Sequence, residues 1–383
     1  MRLIIYGDIG GSGGYVRYCK GLLASNAAPA DMEVWFVCSK PFYEQLAPLD
    51  SRIHVINHPW MISKNRFYRY FWYLWVYPRI VKKIKPDVEF YPSGQLRVYL
   101  RKAQTISTCH NLLLFDAEEL KLIEDKSQQS YFQRYRKNQT RSFKRSDAVI
   151  FLSDHSQEVV CKAVLGIEHS TVIAHGLDPI FLLPHKRSYE FGKKVKLLYV
   201  SPVYSYKHQI EVVQAVKILR ETVGLDICLN LIGGGDENAS MELEKFVQTE
   251  NAKEFVNLAG SVDYGALLNE YNSADIFIFA SSCETFGITL LEAMGARLPV
   301  ACSNRTGLSE ILKDAGVYFD PEDSQSIADA VQKLIMDIKL RETLGEKAYL
   351  YALDYTWERC ASETYNYIKT ARIKTLEGGI NEK

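Results

Sequence analysis

The chain reads as α/β, two doubly wound parallel sheets in two domains of nearly equal size. Three observations predict this. Short apolar runs of strand length alternate with stretches long enough to be crossover helices, which marks parallel strands rather than hairpins. The alternation runs through the first half and then restarts. A length of 383 residues is long for one core and natural for two.

Each element has a local reason. In the first half, residues 3–6, 33–37, 53–56, 88–90, 105–108 and 148–152 are short runs suited to buried strands. Between them, 14–25, 66–84, 117–144 and 156–164 show helical patterns. The second half repeats the scheme, with strands at 196–200, 227–232, 255–258, 276–279 and 298–301. Its helices fall at 208–222, 241–248, 264–271, 287–294 and 324–338. The polar stretch 184–194 is the expected hinge. The domains are then 1–188, 189–355 and a C-terminal segment, 356–383. That segment is a helix capped by Thr356, expected to pack back toward the first domain and to fray from 376 onward.

Hydrophobic residues make up 47% and charged residues 24%, an ordinary globular balance. Lysine plus arginine equals aspartate plus glutamate, at 46 each, so composition gives no support for nucleic acid as a partner. The eight cysteines are scattered, with no Cys-x-x-Cys pair, which reads as reduced thiols of a cytoplasmic protein. Met1-Arg2 leads directly into the first strand, leaving no room for a signal peptide, and no uncharged apolar run approaches bilayer-spanning length.

The most informative stretch is Ile276–Gly295. An apolar strand ends in Ala280-Ser281-Ser282-Cys283, then Glu284-Thr285-Phe286-Gly287 leads into a helical pattern containing Glu292. The spacing puts Glu284 at the carboxyl end of a parallel strand, where ligands of such sheets bind. Glu292 lies one to two turns down the next helix, and the N–H groups of Phe286, Gly287 and Ile288 between the two acids form an anion site. Two carboxylates bracketing a phosphate-sized cradle point to a nucleotide sugar, with sugar hydroxyls at one acid and ribose hydroxyls at the other.

Other residues fit this reading, each with a plainer alternative. Gly7-Asp8-Ile9-Gly10-Gly11-Ser12-Gly13-Gly14 follows the first strand; its backbone either faces a ligand or makes a tight turn. Lys207, after the first strand of the second half, either meets a diphosphate or is a solvated lysine. Gly233, in Gly233-Gly234-Gly235-Asp236, lets the backbone approach a base or ribose, or serves a simple turn. His110 follows the strand 105–108 and either contacts a sugar hydroxyl or is packed. His175 is read as structural. No spacing makes a metal site. Residues 60–85 interleave aromatic and basic side chains without an acid, and 134–145 is a second basic run. The first segment is either a helix at an anionic membrane surface or a core helix with one basic face.

On these residues the chain resembles the retaining glycosyltransferases of the fourth glycosyltransferase family, from Arg2 to about Ile368. Glu284–Gly295 is similar to that family's Glu-x7-Glu signature. The resemblance implies the GT-B architecture, two Rossmann-like domains facing across a cleft, with the acceptor received by the first and the donor by the second. It implies Glu284 at the donor sugar's hydroxyls, Glu292 on the ribose, Gly13 and Gly14 near the diphosphate and acceptor, and His110 at the sugar. Ala174-His175-Gly176-Leu177-Asp178 is similar to the family's hinge motif. One departure stands out. Where the family has Gly-Arg followed by lysine, this chain has Ser201, Pro202 and Lys207, so the lysine is kept and the arginine is not; Arg305 is a candidate replacement.

The implied activity is transfer of a hexose from a nucleotide diphosphate sugar to a hydroxyl of a growing, lipid-linked glycan, with retention and without a metal or other cofactor. A UDP-hexose is placed ahead of GDP-mannose. A nucleotide-sugar epimerase of the same build and a non-catalytic sugar- or partner-binding protein are the rivals. The expected location is the cytoplasm, with peripheral attachment to the inner face of the membrane if 60–85 presents its aromatic-basic face outward.

Overall fold

The computed structural model describes residues 1–8, 13–24, 26–96, 103–121, 123, 126–183, 187–190 and 194–378. The chain divides into two compact units. One comprises Met1–Phe115, Lys126–Gly176 and Thr356–Lys383, the other Asp116–Asp125 and Leu177–Tyr355.

The first unit is built on seven parallel strands: β1 (Arg2–Asp8), β2 (Glu33–Cys38), β3 (His54–Asn57), β4 (Val88–Tyr91), β5 (Gln104–Thr108), β6 (Ala148–Phe151) and β7 (Ser170–Val172). Their order is β3-β2-β1-β4-β5-β6-β7. The second sheet has six strands: β8 (Lys194–Val200), β9 (Asp226–Ile232), β10 (Val256–Gly260), β11 (Ile276–Phe279), β12 (Val300–Ser303) and β13 (Gly316–Phe319). They run β10-β9-β8-β11-β12-β13 and are again all parallel. Each order reverses once, at β1/β4 and at β8/β11. Loops leaving the two strands at such a point diverge, which opens a crevice beyond their carboxyl ends.

One face of the first sheet carries Leu3, Ile5, Phe36, Phe90 and Ile150 against the helix Gly14–Leu23 and against Cys360, Ala361, Tyr365 and Ile368 of the last helix, Trp357–Gly378. Tyr365 donates to the Leu22 carbonyl at 2.7 Å, so the last helix is tied to the first by a polar bond inside an apolar layer. Thr356 caps this helix by accepting from Arg359 N at 3.1 Å. The helix is described to Gly378, and the rest of the tail expected to fray, 379–383, lies outside the described residues. The opposite face packs Ile4, Tyr6, Trp72, Tyr77, Val81 and Tyr91. There the buried Glu89 carboxylate accepts from Tyr77 at 2.6 Å and Tyr91 at 2.8 Å, which compensates for its removal from water.

Several elements depart from expectation for identifiable reasons. The edge strands β7 and β13 lack the continuous apolar runs of central strands; β7 is partly exposed throughout, and β13 buries only its last residue. The helix expected over 66–84 is interrupted by a π turn, Trp72–Val76, flanked by Arg66–Phe71 and Tyr77–Ile84. The helix expected to reach 338 stops at Met336, where Asp337 accepts from Leu340 N and starts another, Ile338–Ala352.

The chain leaves the first unit at Gly176, earlier than the expected limit at 188. Leu177 N bonds to Tyr355 O at 2.9 Å, and Phe181 packs on Tyr264 and Tyr271. Of the expected hinge, 184–186 and 191–193 lie outside the described residues. Between them, Arg187 donates to the carbonyls of Tyr271, Ala274 and Ala296, which anchors this stretch to the second unit.

Candidate active site

In the second unit the loops after β8 and β11, the two strands of the switch point, are stitched together. Lys207 ends a 3-10 turn, Ser205–Lys207, and its carbonyl accepts from Tyr199 OH at 2.7 Å. From that anchor its ammonium forms an ion pair with the Glu284 carboxylate and lies 3.2 Å from Ser281 Oγ. It also sits 4.9 Å from the centre of the Tyr206 ring, whose face attracts a cation. The two side chains are only 7% and 17% exposed, so each charge depends on the other for its solvation. Ser282 completes the seam: its N–H donates to Tyr206 O at 2.9 Å, and its hydroxyl is 2.9 Å from His208 Nε2.

Beyond Glu284 the backbone turns at Gly287, where φ is +87°, and enters the helix Ile288–Gly295. A Cβ at Gly287 would lie 2.8 Å from the end of the Leu308 side chain, Cδ2, so it is the positive φ that demands glycine. Phe286 is buried, its ring edge-on to Tyr355. Ile288 opens the helix, in which Leu290 N and Leu291 N both donate to the Gly287 carbonyl, at 3.1 and 3.2 Å. Glu292 is 1% exposed and accepts from Tyr271 OH at 2.8 Å.

The glycines at 233 and 235 have a different explanation from close approach by a ligand. Ideal Cβ atoms there would sit 2.1 Å from the carbonyl oxygens of Ser201 and Val203 respectively. The space a side chain would take is therefore filled by the loop after β8, and Val203 bridges Gly235 as an isolated strand pair. Next to this contact lies a cavity of about 150 Å³ lined by Tyr199, Ser201, Gly233, Gly234, Ser240 and Glu244, among others. Arg305, the candidate for the missing basic residue, follows β12; it bonds Asp320 at 3.3 Å and comes within 4.0 Å of Glu322, so its guanidinium is engaged by acids of the loop after the neighbouring strand β13.

In the first unit, Gly13 has φ +63° and begins the helix Gly14–Leu23; a Cβ there would meet nothing within 4 Å, so conformation and not crowding calls for glycine. Residues 9–12 of this loop lie outside the described residues. A Cβ at Gly14 would lie 3.5 Å from His175 Nε2. His110 follows β5 and joins Tyr18 (5.1 Å between ring centres), His175 (5.3 Å) and Tyr15 (5.9 Å). Burial pushes the His110 imidazole down to about 3 and lowers His175 as well, so both are neutral near pH 7. His175 is 3% exposed and also packs on Trp357, in keeping with a structural role.

The structure thus joins Lys207 to Glu284, with Phe286, Gly287, Ile288 and Glu292 following along the same strand–helix unit. It gathers Gly14, His110 and His175 in the other unit. Sequence reading missed Tyr206, His208, Ser281, Ser282 and Tyr271; two serines after an apolar strand were the one available signal. It also missed Glu119, whose segment belongs to the second unit and whose carboxyl is raised by burial and lowered in part by the neighbouring Ser282. No local pattern marks a partner more than 150 residues away. Among the described residues no group of three or more His, Cys, Asp or Glu is placed to hold a metal ion.

Two family models match this chain. "Glycosyltransferase Family 4" covers residues 12–181, and "Glycosyl transferases group 1" covers 184–351. Among curated proteins, the chain is similar to the O-antigen chain mannosyltransferase B of Escherichia coli, 28% identical over 194 residues, 50% of each chain. The matched region spans about half the length of the curated relatives. Among solved structures, sucrose-phosphate synthase from Thermosynechococcus elongatus aligns with a TM-score of 0.73 at 19% identity, over 97% of this chain and 98% of that one. Anabaena HepE in complex with UDP-glucose aligns at 0.71 and 14% identity, over 97% and 100%. At such identities the likeness speaks for the fold: two Rossmann-like parallel-sheet domains, the GT-B class.

Proposed function

Because the chain belongs to the GT-B-fold glycosyltransferases, we propose that it moves a hexose from a nucleotide diphosphate sugar to a hydroxyl of a growing glycan, with retention at the anomeric carbon. The observation that carries this is the Lys207–Glu284 pair at the β8/β11 switch point. An arriving diphosphate competes with Glu284 for the ammonium, and Glu284 is released to accept from sugar hydroxyls. As the anomeric C–O bond to the diphosphate breaks, negative charge grows on the leaving oxygen, where Lys207 and the start of the helix Ile288–Gly295 meet it. The acceptor oxygen bonds to the anomeric carbon on the same face and its proton passes to the departing diphosphate. NMR of the product tests this; an inverted anomeric configuration overturns retention, and failure to bind any nucleotide sugar in calorimetry returns the protein to a non-catalytic class.

Glu292 is assigned to the ribose. Its carboxylate, an acceptor only, also receives the Tyr271 hydroxyl. Ribose bonds exist before and during reaction, so Glu292→Ala should raise KM more than it lowers kcat. An unchanged KM removes the assignment. Gly13, Gly14 and His110 are assigned to the acceptor side. The donor is proposed to be a UDP-hexose, with GDP-mannose next. Thermal-shift screening of a nucleotide-sugar panel decides it. With Lys207 supplying cationic charge, activity should persist in chelator; loss in chelator with recovery on adding manganese would contradict that.

A neutral His110 donates or accepts a hydrogen bond to a sugar hydroxyl but brings no charge, so activity should show no limb near pH 6.5 from this residue. Stability should behave differently. Below about pH 6.5 the unfolded chain takes up protons that folded His110 refuses until about pH 3. The folded state therefore loses up to about 1.4 kcal/mol per pH unit from this one residue as pH falls through that window. Urea midpoints at several pH values read the slope, and His110→Gln should flatten it.

The acceptor is proposed to be a lipid-linked saccharide met at the cytoplasmic face of a membrane. The similarity to an O-antigen chain mannosyltransferase supports a glycan chain as acceptor.

A further inference from the structure

The segment read as either a membrane-facing helix or a core helix with one basic face is both at once, divided by its π turn. Trp72 and Tyr77 are five residues apart and both buried, their rings 6.0 Å apart on the sheet side. An α-helix would place them far apart around its axis, whereas the i→i+5 geometry of Trp72–Val76 brings them to one face. Trp72 Nε1 donates to Tyr6 OH at 3.0 Å, which fixes that face on the first sheet.

Trp60 and Tyr73 are partly buried against the same core, whereas Phe67, Tyr68, Tyr70, Phe71 and Trp75 point outward. Phe67, Tyr70, Leu74 and Trp75 are 65%, 59%, 66% and 50% exposed. Phe67, Phe71 and Trp75 form a continuous row, with ring centres 5.7 and 5.8 Å apart, the first pair tilted and the second stacked. Large apolar groups in such continuity are uncommon on a water-facing surface. Around them Lys64, Arg66, Arg69, Arg79, Lys82, Lys83 and Lys85 are all exposed, and no acid occurs between 60 and 85. Arg79 lies 5.2 Å from the Trp75 ring centre and donates to the Trp75 carbonyl, holding a cation beside the most protruding indole.

We propose that this face, centred on Phe67, Phe71, Leu74 and Trp75, is a docking surface for an anionic lipid bilayer. The rings and Leu74 enter the boundary between headgroups and acyl chains while the arginines and lysines meet lipid phosphates. Charge complementarity selects this occupant over a second copy of the chain, because two copies of this face would bring like charges together. Among the described residues no helix is long and apolar enough to span a membrane. The proposal deepens the reading of a lipid-linked acceptor. Its test uses no donor or acceptor, so it fails or stands apart from the transferase assignment.

The full-length protein is sedimented with vesicles of phosphatidylcholine alone and of phosphatidylcholine with phosphatidylglycerol, at low and high salt. Binding is expected to the anionic vesicles only and should fall as salt screens the attraction. Arg66→Glu with Arg69→Glu should weaken partitioning about fivefold or more for each cation removed. The triple variant Phe67→Ser, Leu74→Ser, Trp75→Ser should abolish it while leaving the thermal midpoint near wild type, since these side chains are exposed. No sedimentation with anionic vesicles at low salt overturns the proposal, as does undiminished sedimentation of both variants. So does concentration-dependent self-association in the analytical ultracentrifuge that the triple variant abolishes without any vesicle binding.

Discussion

Lys207→Ala should lower kcat by about 10²- to 10³-fold, with a much smaller change in KM. The ammonium is the one cation that the second unit's switch point places within hydrogen-bond reach of both Glu284 and Ser281 among the described residues. The charge it opposes increases as the diphosphate leaves, so its absence is felt in the transition state more than in the ground state. Pro202 brings no charge to the loop after β8, and Arg305 is paired with Asp320. Neither position is therefore placed to mask the loss. The variant also leaves the Glu284 carboxylate buried without its partner, which should lower the thermal midpoint. Kinetics read below that midpoint separate the two effects. A kcat within about threefold of wild type would remove Lys207 from the chemistry.

Gly233→Ala should destabilise the second unit by at least about 3 kcal/mol. Two costs combine. With φ at +142°, a side chain is strained whatever the space, and the space itself holds the Ser201 carbonyl oxygen, 2.1 Å from an ideal Cβ. That obstacle is backbone, fixed by Ser201 N donating to Ile232 O and Gly233 N donating to Gly260 O, so relief requires separating β8 from β9 at their ends. Gly265→Ala is the control. It lies in the helix Tyr264–Ser273 with nothing within 4 Å of its Cβ, and should be neutral or stabilise by up to about 1 kcal/mol. Calorimetric midpoints of the two variants give the comparison, and equal midpoints would show that the β8 loop yields to the new methyl group.

Gly233 also illustrates where sequence reading stops. A run of glycines after a strand was legible as a place of close approach, because only glycine tolerates it. What approaches was not: here it is the chain's own loop from more than 30 residues earlier, a fact that exists only once β8 and β9 are paired. His110 is similar. Its place after β5 followed from the strand pattern, but its neutrality depends on Tyr18 and His175, which come from a helix and a loop far from it in sequence. The same holds for Glu119, brought to Ser282 by a crossing of segments that no periodicity records.

By itself the sequence determined the parallel α/β class, since strand-length apolar runs separated by helices can bury both faces only in doubly wound sheets. It also determined the placing of Glu284 at a strand's carboxyl end and of Gly287 at the helix start, because both follow from local chain geometry. Tertiary structure alone decided the switch points, the pairing of Lys207 with Glu284, the burial of Glu292 against Tyr271, and which aromatic side chains of 60–85 face water. Those outcomes depend on which strand lies beside which, and strand order is set by packing between distant segments that local spacing does not encode.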